Sequence, residues 1–167
     1  MNFRDIEVEN IKLEDSVKTS LDIKTTSGNL FYTPIMYVPF GLEEYRNSYS
    51  MNLQFRNIDS EVELEEFLDF IQRFESKLKS LLNIDDSKLS SQIKFNGKYD
   101  PILYTKFIFK FNKIECDVKS QNGEFLNIYD LGKNIKVKCL LLLDKVWLFN
   151  NKYSYKLKVK EIIVIDN

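Results

Sequence analysis

The sequence predicts a mainly β protein with one long helix, and three observations carry that prediction. Short runs in which apolar and polar residues alternate with period two recur along the chain, as half-buried strands require. Only the stretch after Ser60 has a helical period. Turn signals built on Gly, Asn and Ser separate the runs. The order strands, helix, strands points to an α+β domain or a β-barrel with one helix. With 167 residues, no tandem repeat and no low-complexity linker, one domain over 1–167 is expected.

Val17 to Thr25 is the first strand expected: Val17, Thr19, Leu21, Ile23 and Thr25 alternate with Lys18, Ser20, Asp22 and Lys24 before the turn Ser27-Gly28-Asn29. The stretch FYTPIMYVPFGLEEYRNSY, Phe31 to Tyr49, is aromatic but interrupted by Pro34, Pro39 and Gly41. Ser48 to Arg56 reads as a strand. Ser60-x-x-Glu63 reads as a capping box, opening a helix from Glu61 to Leu82 with Leu64, Phe67, Leu68, Ile71, Phe74, Leu78, Leu81 and Leu82 on one stripe. Asp69 with Arg73 and Glu75 with Lys79 are spaced as surface ion pairs.

Asn83 to Tyr99 reads as a long polar connection. From Leu103 to Asn112, an apolar face holding Phe107, Phe109 and Phe111 opposes one with Lys106 and Lys110, and the three phenylalanines are assigned to the core. Ile114 to Val118 and Phe125 to Ile128 follow as short strands around Gln121-Asn122-Gly123. Ile135 to Phe149 and Lys152 to Ile165 are read as two long strands joined at Asn150-Asn151, the second with a face of Lys152, Ser154, Lys156, Lys158 and Lys160. In the first, Trp147 shares its face with Leu141 and Leu143, which favours the core, while the nearby turn leaves room for exposure.

Composition excludes several functions. No histidine is present, which removes His-dependent triads and His-type zinc sites. The five glycines are scattered without phosphate-loop spacing, so nucleotide hydrolysis is not expected. Cys116 and Cys139 stand alone and read as small buried hydrophobes in a reducing, intracellular setting. No apolar run is long enough for a membrane span, and the N-terminus lacks the pattern of a secretory signal. No cofactor and no metal are expected. The sharpest catalytic candidate is Glu115-Cys116-Asp117-Val118-Lys119, where alternating acids before a lysine could hold a divalent ion beside a phosphate; a solvated strand face explains it equally.

Net charge is −1, yet charge is unevenly spread. Asp59 to Asp69 holds six acids and no base, whereas Lys133 to Lys160 holds eight lysines and one acid, Asp144. Lysines interleaved with aromatic residues on short strands suit a single-stranded nucleic acid, with cations tracking phosphates and rings stacking on bases. The plainer reading is that strand lysines serve solubility and edge protection. Tyr32, Tyr37, Tyr45 and Tyr104 lie near basic or turn residues and are the better stacking candidates.

The order of motifs resembles the single-stranded DNA-binding proteins of the phage type first described in short-tailed coliphages, with relatives in nucleocytoplasmic large DNA viruses and similar cytoplasmic replicons. The most specific match is to the large-virus branch: Thr33-Pro34-Ile35-Met36-Tyr37-Val38-Pro39-Phe40-Gly41-Leu42. Arg46 three residues before Tyr49, the helix, Tyr104 to Lys110, Lys136-Val137-Lys138, Trp147 and Lys152 to Lys160 follow in the family's order, so the resemblance spans nearly the whole chain.

The resemblance implies an OB-fold, a five-stranded Greek-key barrel with a helix inserted between barrel strands, that coats single-stranded DNA without sequence preference and without catalysis. It implies action in DNA replication, recombination or repair at a cytoplasmic site of viral or plasmid replication. Replication proteins such as a DNA polymerase or helicase, and a second copy of the chain as a homodimer, are the partners it suggests. Phage members recruit partners through an acidic C-terminal tail with a terminal aromatic residue, and Glu161 to Asn167 does not match that pattern. The phosphate-contact candidates are Arg46, Lys106, Lys110, Lys136, Lys138, Lys152, Lys156 and Lys158. The stacking candidates are Tyr32, Tyr37, Phe40, Tyr45, Tyr104, Trp147 and Tyr153. Alternation sends neighbours to opposite faces, so they do not all share one groove. A metal-dependent nuclease at Glu115 and Asp117 and a noncatalytic protein-interaction barrel are the alternatives.

Overall fold

The computed structural model describes residues 1–17 and 19–166; Lys18 of the first expected strand and Asn167 at the end lie outside them. The strands are β1 (Lys12–Asp15), β2 (Ser20–Lys24), β3 (Leu30–Tyr32), β4 (Met36–Val38), β5 (Glu43–Tyr45), β6 (Ser48–Gln54), β7 (Leu89–Ser90) and β8 (Ile93–Asn96). They continue as β9 (Tyr99–Phe107), β10 (Phe109–Lys110), β11 (Lys113–Ile114), β12 (Asp117–Ser120), β13 (Ile135–Leu142), β14 (Lys145–Phe149), β15 (Lys152–Tyr155) and β16 (Lys158–Ile165). One α-helix, α1 (Val62–Leu82), separates β6 from β7.

In the larger sheet the pairings close on themselves. β4 pairs with β6, β6 with β9, β9 in parallel with β16, β16 with β13, and β13 back to β4. Met51, Leu53, Leu103, Thr105, Val137, Cys139 and Leu141 are buried at alternate positions along three of these strands, so one face of each points into the ring. β3 and β4 both lie along β13. Pro34 interrupts them, and Thr33 bridges the break: its N–H donates to the Cys139 carbonyl at 2.8 Å and its Oγ1 accepts from the Cys139 N–H at 3.0 Å.

The two long C-terminal strands expected from the sequence are each divided. β13 ends at Leu142 and β14 begins at Lys145 in a second sheet of order β1-β2-β14-β15-β7; β15 likewise leaves that sheet before β16 joins the ring. Asn29 pins the corner by donating its Nδ2 to the carbonyls of Ile23 and Leu143, each at 2.7 Å. The break shifts the alternation from Leu143 to Val146, both buried, so Trp147 does not share a face with Leu141 and Leu143.

The helix buries Leu64, Phe67, Phe70, Ile71, Phe74 and Leu78 against the ring and the N-terminal segment, while Leu81 stays exposed. Phe67 and Phe70 sit beside Phe3 and Phe31, with centroids 4.9 to 6.3 Å apart. The capping box does not form: Ser60 Oγ donates to the Asn57 carbonyl, and Glu61 occupies the cap without a side-chain bond. The Glu75–Lys79 pair does not form either. Glu75 is buried and accepts from the Tyr155 hydroxyl, Ser91 Oγ and the Gln92 N–H, while Lys79 pairs with Asp86 at 2.6 Å. A carboxylate with these partners ties the helix to the second sheet.

Three further expectations change. The 83–99 connection contains β7, whose partner β15 is far away in sequence, and β8, which forms a hairpin with β9. Phe111 is 96% exposed at the turn of the β10–β11 hairpin with φ of 52°, so of the three phenylalanines only Phe107 is buried, and Phe109 is half-buried against Tyr49. Residues 125–128 form one bridge, Lys119 to Phe125, and then a short 3-10 turn instead of a strand. Cys139 is buried as expected and burial raises its thiol well above the ordinary value, whereas Cys116 is only half-buried, with burial and then Asp117 pushing its thiol up to about 12. No helix among the described residues is long and apolar enough to cross a membrane.

Candidate nucleic-acid interface

On β6 and β9 the outward residues lie opposite one another: Gln54 with Ile102, Asn52 with Tyr104, and Ser50 with Lys106. The parallel pairing then sets Lys106 beside Lys158 of β16. Alternation carries this face into β15, because Tyr155 and Leu157 are buried and Lys156, Ser154 and Lys152 point the other way. Across the β14–β15 ladder Trp147 opposes Ser154 and Phe149 opposes Lys152, so both rings join the face. Phe149 is 76% exposed.

The far end is set by the β5–β6 hairpin. Arg46 and Asn47 at its tip have φ of 50° and 60°, the left-handed pair that a two-residue hairpin turn demands. Tyr45 pairs with Ser48 and Glu43 with Ser50, which places Tyr45 on the face of Lys106, with the Arg46 guanidinium 5.2 Å from its ring centre. Two hairpins therefore flank a shallow three-strand floor: Tyr45 and Arg46 on one side, Trp147, Phe149 and Lys152 on the other.

The charge on the floor is unbalanced. Burial, then the neighbouring Lys106 and Lys158, hold the Lys156 ammonium below the usual lysine range. Asp144 approaches Lys158 at 3.5 Å, and among the described residues Lys106 and Lys156 have no carboxylate partner. Glu43, at the β5 side of this face, accepts from Asn52 Nδ2 at 2.9 Å. Lys94 stands 5.5 Å from the Tyr104 ring centre.

The remaining candidates are placed elsewhere. Tyr37 and Lys136 face each other across the β4–β13 ladder at the border of the floor, and the Arg56 guanidinium lies 4.0 Å from the Tyr37 ring centre. Phe40 is half-exposed in the loop before β5, where Gly41 has φ of 71° and a Cβ would meet the carbonyls of Leu131 and Gly132 at 3.4 Å. Tyr32 and Lys138 lie on the opposite wall, with the Tyr32 hydroxyl 3.1 Å from Glu161 Oε1. Tyr153 opposes Leu148 and faces away from Trp147, lining a recess with Asp15 and Leu21. Lys110 sits on the exposed β10–β11 hairpin. Glu115 and Asp117 border a shallow recess with Cys116 and Lys160, and no group of three metal-ligating side chains is present among the described residues.

Sequence reasoning missed Arg56, Lys94, Tyr99 and Phe149. Tyr99 flanks Asn96-Gly97, which is a hairpin signal once the segment is read as two strands. Phe149 directly precedes the recognised Asn150-Asn151 turn, at an end of a strand where rings stand free.

No protein-family model matches the chain, and no curated protein matches it significantly. Solved structures do match. A single-stranded DNA-binding protein from bacteriophage Enc34, in complex with single-stranded DNA, superposes with a TM-score of 0.60 over 95% of this chain and 97% of that one, at 12% identity. The single-stranded DNA-binding protein gp2.5 of bacteriophage T7 superposes with a TM-score of 0.53 over 82% and 86%, at 14% identity. At such identities the likeness is one of architecture: this chain has the fold of phage single-stranded DNA-binding proteins.

Proposed function

We propose that the chain binds and protects single-stranded DNA without sequence specificity during DNA replication, recombination or repair, as a coating protein and not as an enzyme. The observation that carries this is the floor between the two hairpins, where Lys106, Lys156 and Lys158 crowd with little counter-charge and Tyr45, Tyr104 and Trp147 offer rings. Unbalanced cations supply the phosphate attraction, and rings supply stacking that every base can satisfy. The fold shared with phage proteins named for this activity supports the same reading.

In this reading the closed ring of β3/β4, β6, β9, β13 and β16 is an OB-fold barrel, with the parallel β9–β16 pair as its closing seam and α1 inserted after the second barrel strand. Arg46, Lys152 and the floor lysines contact phosphate, Tyr37, Phe40 and Lys136 extend the path, and Tyr32, Lys138, Tyr153 and Lys110 lie off it. Placement near the large-DNA-virus branch rests on the Thr33 to Leu42 segment. It carries with it a site of viral or plasmid replication, contacts with a DNA polymerase or helicase, and a homodimer as proposals of the same standing.

Titration of a fluorescent oligo-dT and of duplex DNA at two salt concentrations tests the function. Tight, salt-weakened binding of the single strand in preference to duplex is the expected result. Equal affinity for duplex, or no salt dependence, rejects it.

A further inference from the structure

Beyond the floor, the loop before β5 and the β8–β9 hairpin enclose a recess of about 530 Å³, lined by Phe40, Gln54, Arg56, Asn96, Tyr99 and Ile102 together with Pro39. Phe40 is 50% and Tyr99 65% exposed, so two rings stand open to solvent around an apolar base formed by Ile102. The polar rim is weighted towards donors. Arg56 Nε donates to Gln54 Oε1 at 3.0 Å, and the Lys98 N–H donates to Asn96 Oδ1 at 3.2 Å. Each amide oxygen thus already accepts one bond, and neither amide nitrogen has a partner among the described residues, which leaves both as donors. Arg56 is itself held against Tyr37, and Lys94 lies across the β8–β9 ladder from Ile102.

We infer that this recess is a nucleobase pocket on the single-stranded DNA path, taking one unstacked base between Phe40 and Tyr99, with a preference for bases that present acceptors. This rests on the proposed single-strand binding and deepens it. A half-open, mostly apolar recess with a few polar groups at its rim suits one flat heterocycle. A rim of donors matches thymine carbonyls and the guanine O6/N7 edge, whereas adenine sets an amino donor beside its acceptors. The overall coating mode stays sequence-tolerant, with one subsite that discriminates mildly.

The test is a competition titration of oligo-dT against oligo-dA of equal length, on the wild-type protein, Gln54→Leu, and the double variant Phe40→Ala/Tyr99→Ala. Wild type is expected to favour oligo-dT. Gln54→Leu is expected to keep binding oligo-dT but lower the dT-to-dA ratio about threefold. The self-stacking of free oligo-dA is the same for every protein and cancels from that change. The double variant is expected to weaken both strands about tenfold. Because Gln54 is an outward strand residue, an unshifted melting temperature accompanies the expected result. An unchanged ratio in Gln54→Leu overturns the pocket and leaves single-strand binding standing. A wild-type protein that binds neither strand overturns both.

Discussion

Two walls of the closed strand ring carry the same residue types, lysine beside tyrosine on outward strand positions, and differ in what stands beside the lysines. On the β13–β16 wall Glu161 sits at the centre: it accepts the Tyr32 hydroxyl, lies 3.8 Å from Lys119 Nζ, and Lys138 stands 5.6 Å from the Tyr32 ring centre. That wall is closed in the sense that a carboxylate stands at its centre and pairs with Lys119, while Lys138 lies over a ring. On the β6–β9 wall Asp144 lies 3.5 Å from Lys158, while Lys106 and Lys156 have no carboxylate partner among the described residues, and Lys156 is depressed first by burial and then by Lys106 and Lys158. If the open wall is the polyanion site, lysine density alone does not mark it. Unspent charge beside exposed rings is the better guide.

The largest expected effect comes from inverting the open wall. Lys106→Glu with Lys158→Glu should lower affinity for single-stranded DNA by about a hundredfold at low salt, while Lys138→Glu on the closed wall should change it by no more than about threefold. Fluorescence anisotropy with labelled oligo-dT reads both. Single alanine variants of Lys106 or Lys158 sharpen the comparison further, since each lost phosphate contact should flatten the log-affinity against log-salt slope by about 0.7. A slope that falls equally for Lys138→Ala would erase the distinction between the walls.

The next effect is carried by Trp147, the single tryptophan of the chain. Its ring lies on the open face and Tyr153 points away, so Trp147→Ala should weaken oligo-dT binding about tenfold and Tyr153→Ala should leave it nearly unchanged. Intrinsic fluorescence of the wild-type protein should be quenched on titration with oligo-dT and restored by salt. Quenching that is absent while anisotropy still reports binding would remove Trp147 from the path.

What could be read in advance follows from how local each signal is. The helix and β6 are written in their own periodicity, and the Asn150-Asn151 turn in two residues that tolerate positive φ. The corners at Leu143-Asp144 and Lys156-Leu157 are not, because alternation of apolar and polar residues can run through a bend from one sheet into another. Trp147 was consequently counted on the wrong face of the chain. β7 and β8 are too short to show a period; β7 exists through Tyr153, 64 residues beyond Leu89, and β8 through its hairpin with β9. The lysines of the floor were visible as a striped run; that Lys119 would meet Glu161 and Lys106 would meet no carboxylate among the described residues is a matter of register, which no single segment encodes.

A smaller effect is expected in the pH dependence of binding. Lys156 is depressed in the free protein first by burial and then by Lys106 and Lys158; a phosphate beside the cluster favours the ammonium and raises it again. Binding then takes up a proton in the alkaline range between the free and bound values. Affinity should be full below the free-state value of Lys156 and fall as pH rises through it. In Lys156→Arg, which stays charged, that part of the fall should disappear. Identical pH profiles for the two proteins would place Lys156 off the phosphate path.

The smallest effect tests the closed wall itself. Glu161→Gln keeps a group that can accept the Tyr32 hydroxyl but removes the charge that holds Lys119, so the wall should gain an unspent cation. Exposed ion pairs are weak, and the expected gain in oligo-dT affinity is about twofold at low salt, vanishing at high salt. A second readout separates this from general loosening. Burial, then Glu161, raise the Tyr32 hydroxyl above the ordinary tyrosine value. With the carboxylate gone, one tyrosine should titrate at lower pH in an ultraviolet difference titration against wild type. A shifted tyrosine without any gain in affinity would mean that the wall is silent because of its geometry, and that charge balance is not what separates it from the open one.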